Sequence, residues 1–500
     1  MLSPAAIVFT SLALAVAYAY HKHTKRVSPT IPYAGGQTAA RDPTFLERLQ
    51  AAGEYAKDPV SFLAKTRSII GDVFCVDLIV TKIVFLLGPD GNKELFRAPE
   101  DKLSFEESVK WSLGPTIAAM YDFPGWTAAS MRLLKQALLR QEKLDGYYAL
   151  CSRVTETIFD DWEKKGVIPL FHSISHLIIS NLLVLIAGEG IYSRHGEELI
   201  PMMAQFERDV QKPILRVVPW SLWRFTGPGA ALFRTCNRFD TIVEEEMRDI
   251  LANPDKHAGR SDYLYFLVTS LGPQFGPVYG RHVMSIIFGG HANAALTIPW
   301  LFLHARRVPG ALDKIREEAI LPRGEPKAYL EACMRETGRL YTNTAVMRMT
   351  KETTSVAGHV VPKGILVAAS PAATQRSEPA FVGAEKWNPS RFFSKHAGEE
   401  QDEKDENEAS MFSQWFQRAE FVQFGMGQHA CPGEKMARMF IFDLVLRNWM
   451  EKYDMEVISG VEEGVKGVDG VGVEAAWTEE NFGTPSVRGE DVMVRVERRY

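Results

Sequence analysis

Phe424-Gly425-Met426-Gly427-Gln428-His429-Ala430-Cys431-Pro432-Gly433 puts one cysteine in a glycine-rich loop, just ahead of an apolar run with helical character at 436–449. A thiolate that holds a metal needs such a setting. Gly427 and Gly433 let the backbone turn tightly and approach a flat ligand closely. Backbone N–H groups and the helix start then face the sulfur and favour its anionic form. Phe424 can cover the sulfur and keep water away. The bland alternative is a buried structural cysteine in a turn.

Composition frames the rest. The chain has 500 residues, 46% hydrophobic and 24% charged, values of an ordinary globular protein with a large core. A net charge of −5 and a pI near 6.2 argue against non-specific nucleic-acid binding. Cys75, Cys151, Cys236, Cys333 and Cys431 are scattered with no C-x-x-C spacing, so neither a zinc site nor a disulfide framework is indicated. A reducing compartment fits best.

Residues 1–20 carry no charged side chain. As a helix they span about 30 Å, the thickness of a bilayer core. The following His21-Lys22-His23-Thr24-Lys25-Arg26 is basic, which places that side in the cytosol. Ala17-Tyr18-Ala19 also looks like a signal cleavage site, but no Lys or Arg precedes the apolar run. The expected organisation is a single transmembrane anchor at 1–20, a basic, proline-containing linker at 21–35 and a catalytic domain at 36–500. The anchor suggests a single-pass endoplasmic reticulum protein with a cytosolic domain.

Two β-rich runs at 73–87 predict a hairpin. Helical periodicity dominates from about 90 to 350, with 131–150 and 173–185 as examples. Short strand patterns return at 354–361, 364–369 and 491–496. The fold class is therefore mainly α with small β-sheets. The stretch 398–408, with seven acidic residues and one lysine, reads as a solvated loop, and the Gly/Val-rich 461–472 as a flexible excursion. Residues 213–225, PILRVVPWSLWRF, suit either a membrane interface near a substrate entrance or ordinary core.

The decuplet resembles the haem-binding loop of the cytochrome P-450 family, F-x-x-G-x-[RH]-x-C-x-G. Phe424, Gly427, His429, Cys431 and Gly433 fill its fixed positions, and Gly425 lies within the same loop. The resemblance implies a haem b cofactor with Cys431 as the axial iron ligand and His429 near a haem propionate. A second landmark is E-x-x-R. Glu336 and Arg339 are spaced i, i+3 and share a helix face, about 95 residues before the cysteine loop. Pro389-Ser390-Arg391-Phe392 resembles the family's P-x-R-F segment, so Arg391 is expected to join Glu336 and Arg339 in a structural charge cluster. Glu331 and Arg335, spaced i, i+4, read as a surface pair. By resemblance Arg348 is a propionate candidate, and arginine suits a carboxylate bidentately. Tyr121, Arg132 and Lys135 are further propionate candidates.

The distal side departs from the common pattern. Ile286–Thr297, IIFGGHANAALT, resembles the long helix that crosses the haem face. Family members usually read [AG]-G-x-[DE]-T there; this chain has Gly289, Gly290, His291, Ala292 and Asn293. Asn293 can orient water but supplies no useful acid. His291 can titrate near neutrality or be a helix residue bonded to a neighbour. Gly-Gly-His resembles sterol 14α-demethylases, and Ala-Asn resembles cholesterol 7α-hydroxylase-like enzymes and prostacyclin synthase. The family implies a haem-thiolate monooxygenase acting on a lipophilic sterol, terpenoid, fatty acid or other specialised metabolite. Its electrons come from NADPH-cytochrome P-450 reductase. The alternative is a haem-thiolate isomerase or dehydratase that rearranges a peroxide without O2 or NADPH.

Overall fold

The computed structural model describes residues 27–35, 43–78, 81–212, 214–342, 345–378, 380–392, 419–427, 430–459 and 491–499. The proposed anchor, the basic stretch 21–26, the acidic 398–408 and the glycine-rich 461–472 lie outside them. The architecture is mainly helical with small sheets.

The β-branched runs at the N-terminal side form the expected hairpin, β1 (Val73–Asp77) against β2 (Lys82–Leu86), with Cys75 opposite Val84. β3 (Leu103–Ser104), β5 (Val346–Thr350) and β8 (Leu366–Ala369) complete a sheet of order β1-β2-β8-β5-β3, in which β2 and β8 are parallel. β4 (Val167–Pro169), β9 (Tyr453–Ser459) and β10 (Met493–Arg498) form a second sheet of order β4-β10-β9. The strand pattern expected at 354–361 is a hairpin, β6 (Thr354–Val356) and β7 (His359–Val361), turning at Ala357 and Gly358 with positive φ. The last residues of the segment read as linker are packed. Val27, Ile31 and Tyr33 are buried, and Pro32 and Ala34 bond to both backbone groups of Cys75 on the edge strand β1. This covers an otherwise open sheet edge.

The helical pattern at 131–150 breaks at Arg140, whose extended φ/ψ separates Trp126–Leu139 from Gln141–Lys165. Leu170–Ala187 and Gly276–Ala305 are the core helices. Both are long and apolar enough to cross a membrane, yet both are mostly buried within the protein. The Gly276–Ala305 helix, called the central helix below, packs against Leu170–Ala187 and Gly227–Ala252. Behind the cysteine, Glu434–Arg438, a π-helical turn at Met439–Leu446 and Arg447–Lys452 run as one continuous rod whose apolar face is buried. π-helical stretches occur preferentially near functional sites.

Candidate haem-thiolate site

Cys431 is exposed, whereas the other four cysteines are buried. Its loop closes on itself. Cys431 N–H donates to the Phe424 carbonyl at 2.7 Å, Gly425 N–H to Val422 at 3.0 Å and Ala430 N–H to Gly427 at 3.2 Å. The turns that need glycine are Gly425 and Gly427, at φ 70° and 63°. Gly433 differs from expectation: its φ of −93° is open to any residue. A Cβ there would stand 3.7 Å from Cys431 Sγ. The thiol also departs from the sequence reading. Although Cys431 reaches the surface, the protein packed around its sulfur desolvates it and raises its pKa, the Glu434 charge adds to this, and the Gly433 N–H opposes both. Phe424 is half-buried against the main core, with the Arg438 guanidinium 6.0 Å from its ring centroid. Gln428 and His429 lie outside the described residues.

The Ala328–Leu340 helix brings Glu336 and Arg339 together, both fully buried. Arg339 Nε and Nη2 donate to the Glu336 carboxylate at 2.7 and 2.9 Å. Its remaining donors reach the carbonyls of Gln375, Ala384 and Lys386. Arg391 Nε joins at 3.0 Å from Glu336, and Asn388 N–H at 2.8 Å. The three charges meet as expected, with their hydrogen-bonding capacity largely satisfied. Glu331 and Arg335 are not a surface pair. Both are buried and bonded at 2.7 Å, and Arg438, from the helix after Cys431, pairs with Glu331 and with Glu434. The i, i+4 pairing holds, but the rod behind the cysteine covers this face.

Arg348, on β5, is 2% exposed. Its Nη1 donates to Met347 O at 2.8 Å and its guanidinium lies 4.9 Å from the Phe105 ring centroid. Its Nε is buried without a partner, and no carboxylate lies within ion-pair distance among the described residues. Burial pushes this guanidinium down to about 10, with Glu100 partly opposing. A buried cation with an orphaned donor is the environment an anionic ligand group would satisfy. Arg132 and Lys135 are exposed on the Trp126–Leu139 helix. Tyr121 is half-buried, and burial pushes its phenol up to about 12. An open cysteine, two positive-φ glycines and an unpaired buried arginine fit an iron porphyrin carrying propionates.

On the central helix, Gly289 and Asn293 are exposed while most of their neighbours are buried or half-buried. A Cβ at Gly289 would meet nothing within 4 Å, so this face borders open space. At Gly290 a Cβ would lie 3.1 Å from Leu182 Cδ2 and 3.7 Å from Met436 Cε, so that residue faces protein. His291 is buried and bonded to neighbours. Its Nε2 is 2.8 Å from Ser175 Oγ and its Nδ1 is 2.8 Å from the Glu207 carboxylate. It therefore does not stand on the open face beside Asn293. Ser175 and Glu207 belong to the Leu170–Ala187 and Glu189–Val210 helices and had no signal in the sequence. Thr297 Oγ1 donates to the Asn293 carbonyl at 2.7 Å, which leaves the Asn293 amide uninvolved in that bond.

The segment read as either membrane interface or core has side chains of both kinds of exposure among its described residues. Trp223 is fully buried over Gly114, while Ile214, Trp220, Leu222 and Phe225 are exposed, Phe225 by 77%.

A family model described as Cytochrome P450 matches residues 40–468. Among similar proteins, cytochrome P450 monooxygenase pyvB of Aspergillus violaceofuscus is 25% identical over 85% of each chain. Lanosterol 14-alpha demethylase of Cunninghamella elegans is 22% identical over 90% of this chain and 91% of its own. The structure of retinoic acid bound cyanobacterial CYP120A1 superposes with a TM-score of 0.67 at 16% identity, covering 94% of this chain and all of that one, which shows a shared fold.

Proposed function

The chain belongs to the cytochrome P450 family, and we propose that it is a membrane-anchored member that oxidises a lipophilic small molecule of a biosynthetic pathway, drawing electrons from a separate NADPH-dependent reductase. Like its family it is a haem-thiolate monooxygenase, an oxidoreductase. The observation that carries the reading of the site is Cys431, the open cysteine in a closed glycine loop, with the buried Arg348, whose Nε has no partner among the described residues, available for a propionate. Arg132, Tyr121 and His429 are the further propionate candidates.

When bound, the haem supplies activation of dioxygen and its use on a substrate C–H bond. The residues supply position and protons. Glu207, whose side chain is 20% exposed, touches solvent on one side and His291 Nδ1 on the other. His291 Nε2 continues to Ser175 Oγ. This chain is a candidate relay along the flank of the central helix, ending at Ser175 and not on the open face. Asn293 has no titratable proton, so its amide orients water or substrate on the open face.

Two supports favour oxidation over peroxide rearrangement: relatives named as monooxygenases and relatives named as sterol or lanosterol demethylases. The latter names also support an apolar substrate. The uncharged stretch 1–20 and the exposed Trp220, Leu222 and Phe225 support a location on the endoplasmic reticulum membrane.

The test is turnover of the full chain with reductase and NADPH under ¹⁸O₂, on an apolar extract, read by mass shift. Labelled product is expected. Unlabelled product formed without NADPH would overturn the monooxygenase reading of this chain. In the same assay His291→Ala should lower product per NADPH and raise peroxide. Glu207→Gln should act in the same direction. Unchanged coupling in both removes the relay.

A further inference from the structure

Gly338 lies between Glu336 and Arg339 in the last turn of their helix. Its φ is not positive, so backbone geometry does not demand glycine. Space does. A Cβ on Gly338 would stand 1.9 Å from Nε2, 2.3 Å from Cδ and 2.8 Å from Cγ of Gln423. The missing side chain is a notch, and the Gln423 carboxamide fills it. Its Nε2 points to the Met334 carbonyl one turn back, at 3.4 Å, and its Oε1 is buried without a protein partner among the described residues.

A second glutamine holds the neighbouring residue. Gln375 is fully buried; its Nε2 donates to the Arg339 carbonyl at 3.1 Å, and its Oε1 accepts the Val422 N–H at 2.8 Å. The two residues ahead of Phe424 are thus both fixed to the helix of the charge cluster. Phe424 in turn accepts the Cys431 N–H at 2.7 Å. Backbone bonds from Gly425 to Val422 and from Cys431 to Phe424 tie the loop's two ends to this segment, so a shift at 422–424 carries to the cysteine.

We propose that Gln423, seated in the Gly338 notch, is a positioning residue for Cys431: it sets where the sulfur stands, and so the strength of its donation to the haem iron. This rests on Cys431 as the axial ligand. An apolar side chain would fill the notch equally well. An amide adds a directional bond to Met334, which fixes the rotamer as well as the volume.

The experiment uses the full chain loaded with haem, in four forms: wild type, Gly338→Ala, Gln423→Ala and the double variant. Haem per protein, the position of the reduced-CO band and the haem reduction potential are read on each. Gly338→Ala should move part of the reduced-CO population from the thiolate band to that of a neutral thiol and shift the potential. Adding Gln423→Ala should restore the thiolate band, because the new methyl then occupies freed space. Gln423→Glu, which keeps the shape and loses the donor, should fall between wild type and Gln423→Ala. If both single variants keep the wild-type band and potential at full haem occupancy, or if their effects simply add, the proposal is wrong. Should Gly338→Ala fail to fold, Gln423→Ala decides: an unchanged band and potential overturn the proposal, and a shift in both supports it. A thiolate band that survives Cys431→Ser overturns the ligand assignment instead, a separate result.

Discussion

The cysteine loop and the middle of the central helix meet through Met436, whose Cε lies 3.6 Å from a Cβ placed on Gly433 and 3.7 Å from one on Gly290. They are held in place by different means. The loop is fixed by directional bonds: Gln375 accepts the Val422 N–H just ahead of it, Cys431 N–H donates to the Phe424 carbonyl, and Arg438 joins Glu331 to Glu434 across two elements. The central helix is fixed by apolar burial, and its histidines are turned to the flanks. His282 bonds Tyr263, His291 bonds Ser175 and Glu207, and His304 bonds Tyr341. Directional bonds suit a region that must hold one sulfur in one place. Packing suits a helix that keeps one face, Gly289 and Asn293, bare for changing contents.

The largest test of this contrast is Cys431→Ala. It should abolish the reduced-CO band of a haem thiolate, with the fold retained by circular dichroism; a surviving band would refute the assignment. Next come Glu336→Ala and Arg339→Ala. Glu336→Ala leaves the fully buried Arg339 without a carboxylate, at a cost of about 3–5 kcal/mol, whereas Arg339→Ala leaves Glu336 with Arg391 and should cost somewhat less. Both should lose haem during purification. Glu331→Gln removes one charge from a partly open network, whose Arg438 is 25% exposed, and should cost less, about 1–3 kcal/mol. Equal losses in denaturant unfolding would mean the two clusters are not ranked by burial.

What was legible in the sequence follows the same division. The loop was readable because its chemistry is packed into ten consecutive residues. Glu336 and Arg339 were readable from helix spacing, and Arg391 from resemblance. Glu331 and Arg335 have equally good spacing and were misplaced, because spacing does not tell whether a later helix will cover the pair. His291 was visible as a residue, but its partners lie 116 and 84 positions away, where no local pattern links them. Gly338 did leave a mark: a glycine of ordinary φ between the members of a charge pair calls for a steric reason. Only the packing of Gln423 supplied it.

The central helix also makes an acid-sensitivity prediction that the loop does not. Burial pushes the imidazoles of His282 and His304 down from 6.5 to about 3, and Arg307, Arg376 and Arg339 add to the effect on His304. The native protein then stays neutral at these sites while the unfolded chain takes up protons between pH 6.5 and 3. Stability therefore falls as pH drops through that window, by roughly 2 kcal/mol per histidine between pH 7 and 5. Denaturant midpoints at pH 7 and 5 measure this. His282→Gln can keep a bond to the Tyr263 hydroxyl and cannot titrate, so it should remove about half of the acid loss. An acid loss as large as in wild type would mean these sites do not govern it.

The smallest effect separates two adjacent glycines. Alanine in a helix interior is favoured over glycine by about 1 kcal/mol. At Gly289 a methyl meets nothing within 4 Å, so the gain should be kept and the protein stabilised. That methyl would, however, project onto the open face shared with Asn293, and turnover should fall although stability rises. At Gly290 the methyl presses on Leu182 Cδ2 at 3.1 Å, and Leu182 has to shift by a few tenths of an ångström. The packing strain should offset the helix gain, so stability should change little and turnover should persist. Measuring unfolding and product formation on both variants resolves the matter. If Gly290→Ala is the variant that loses turnover, the open face has been assigned to the wrong side of the helix. If neither does, Asn293 and Gly289 do not border the reacting space, and the distal half of the comparison has to be redrawn around the His291 side.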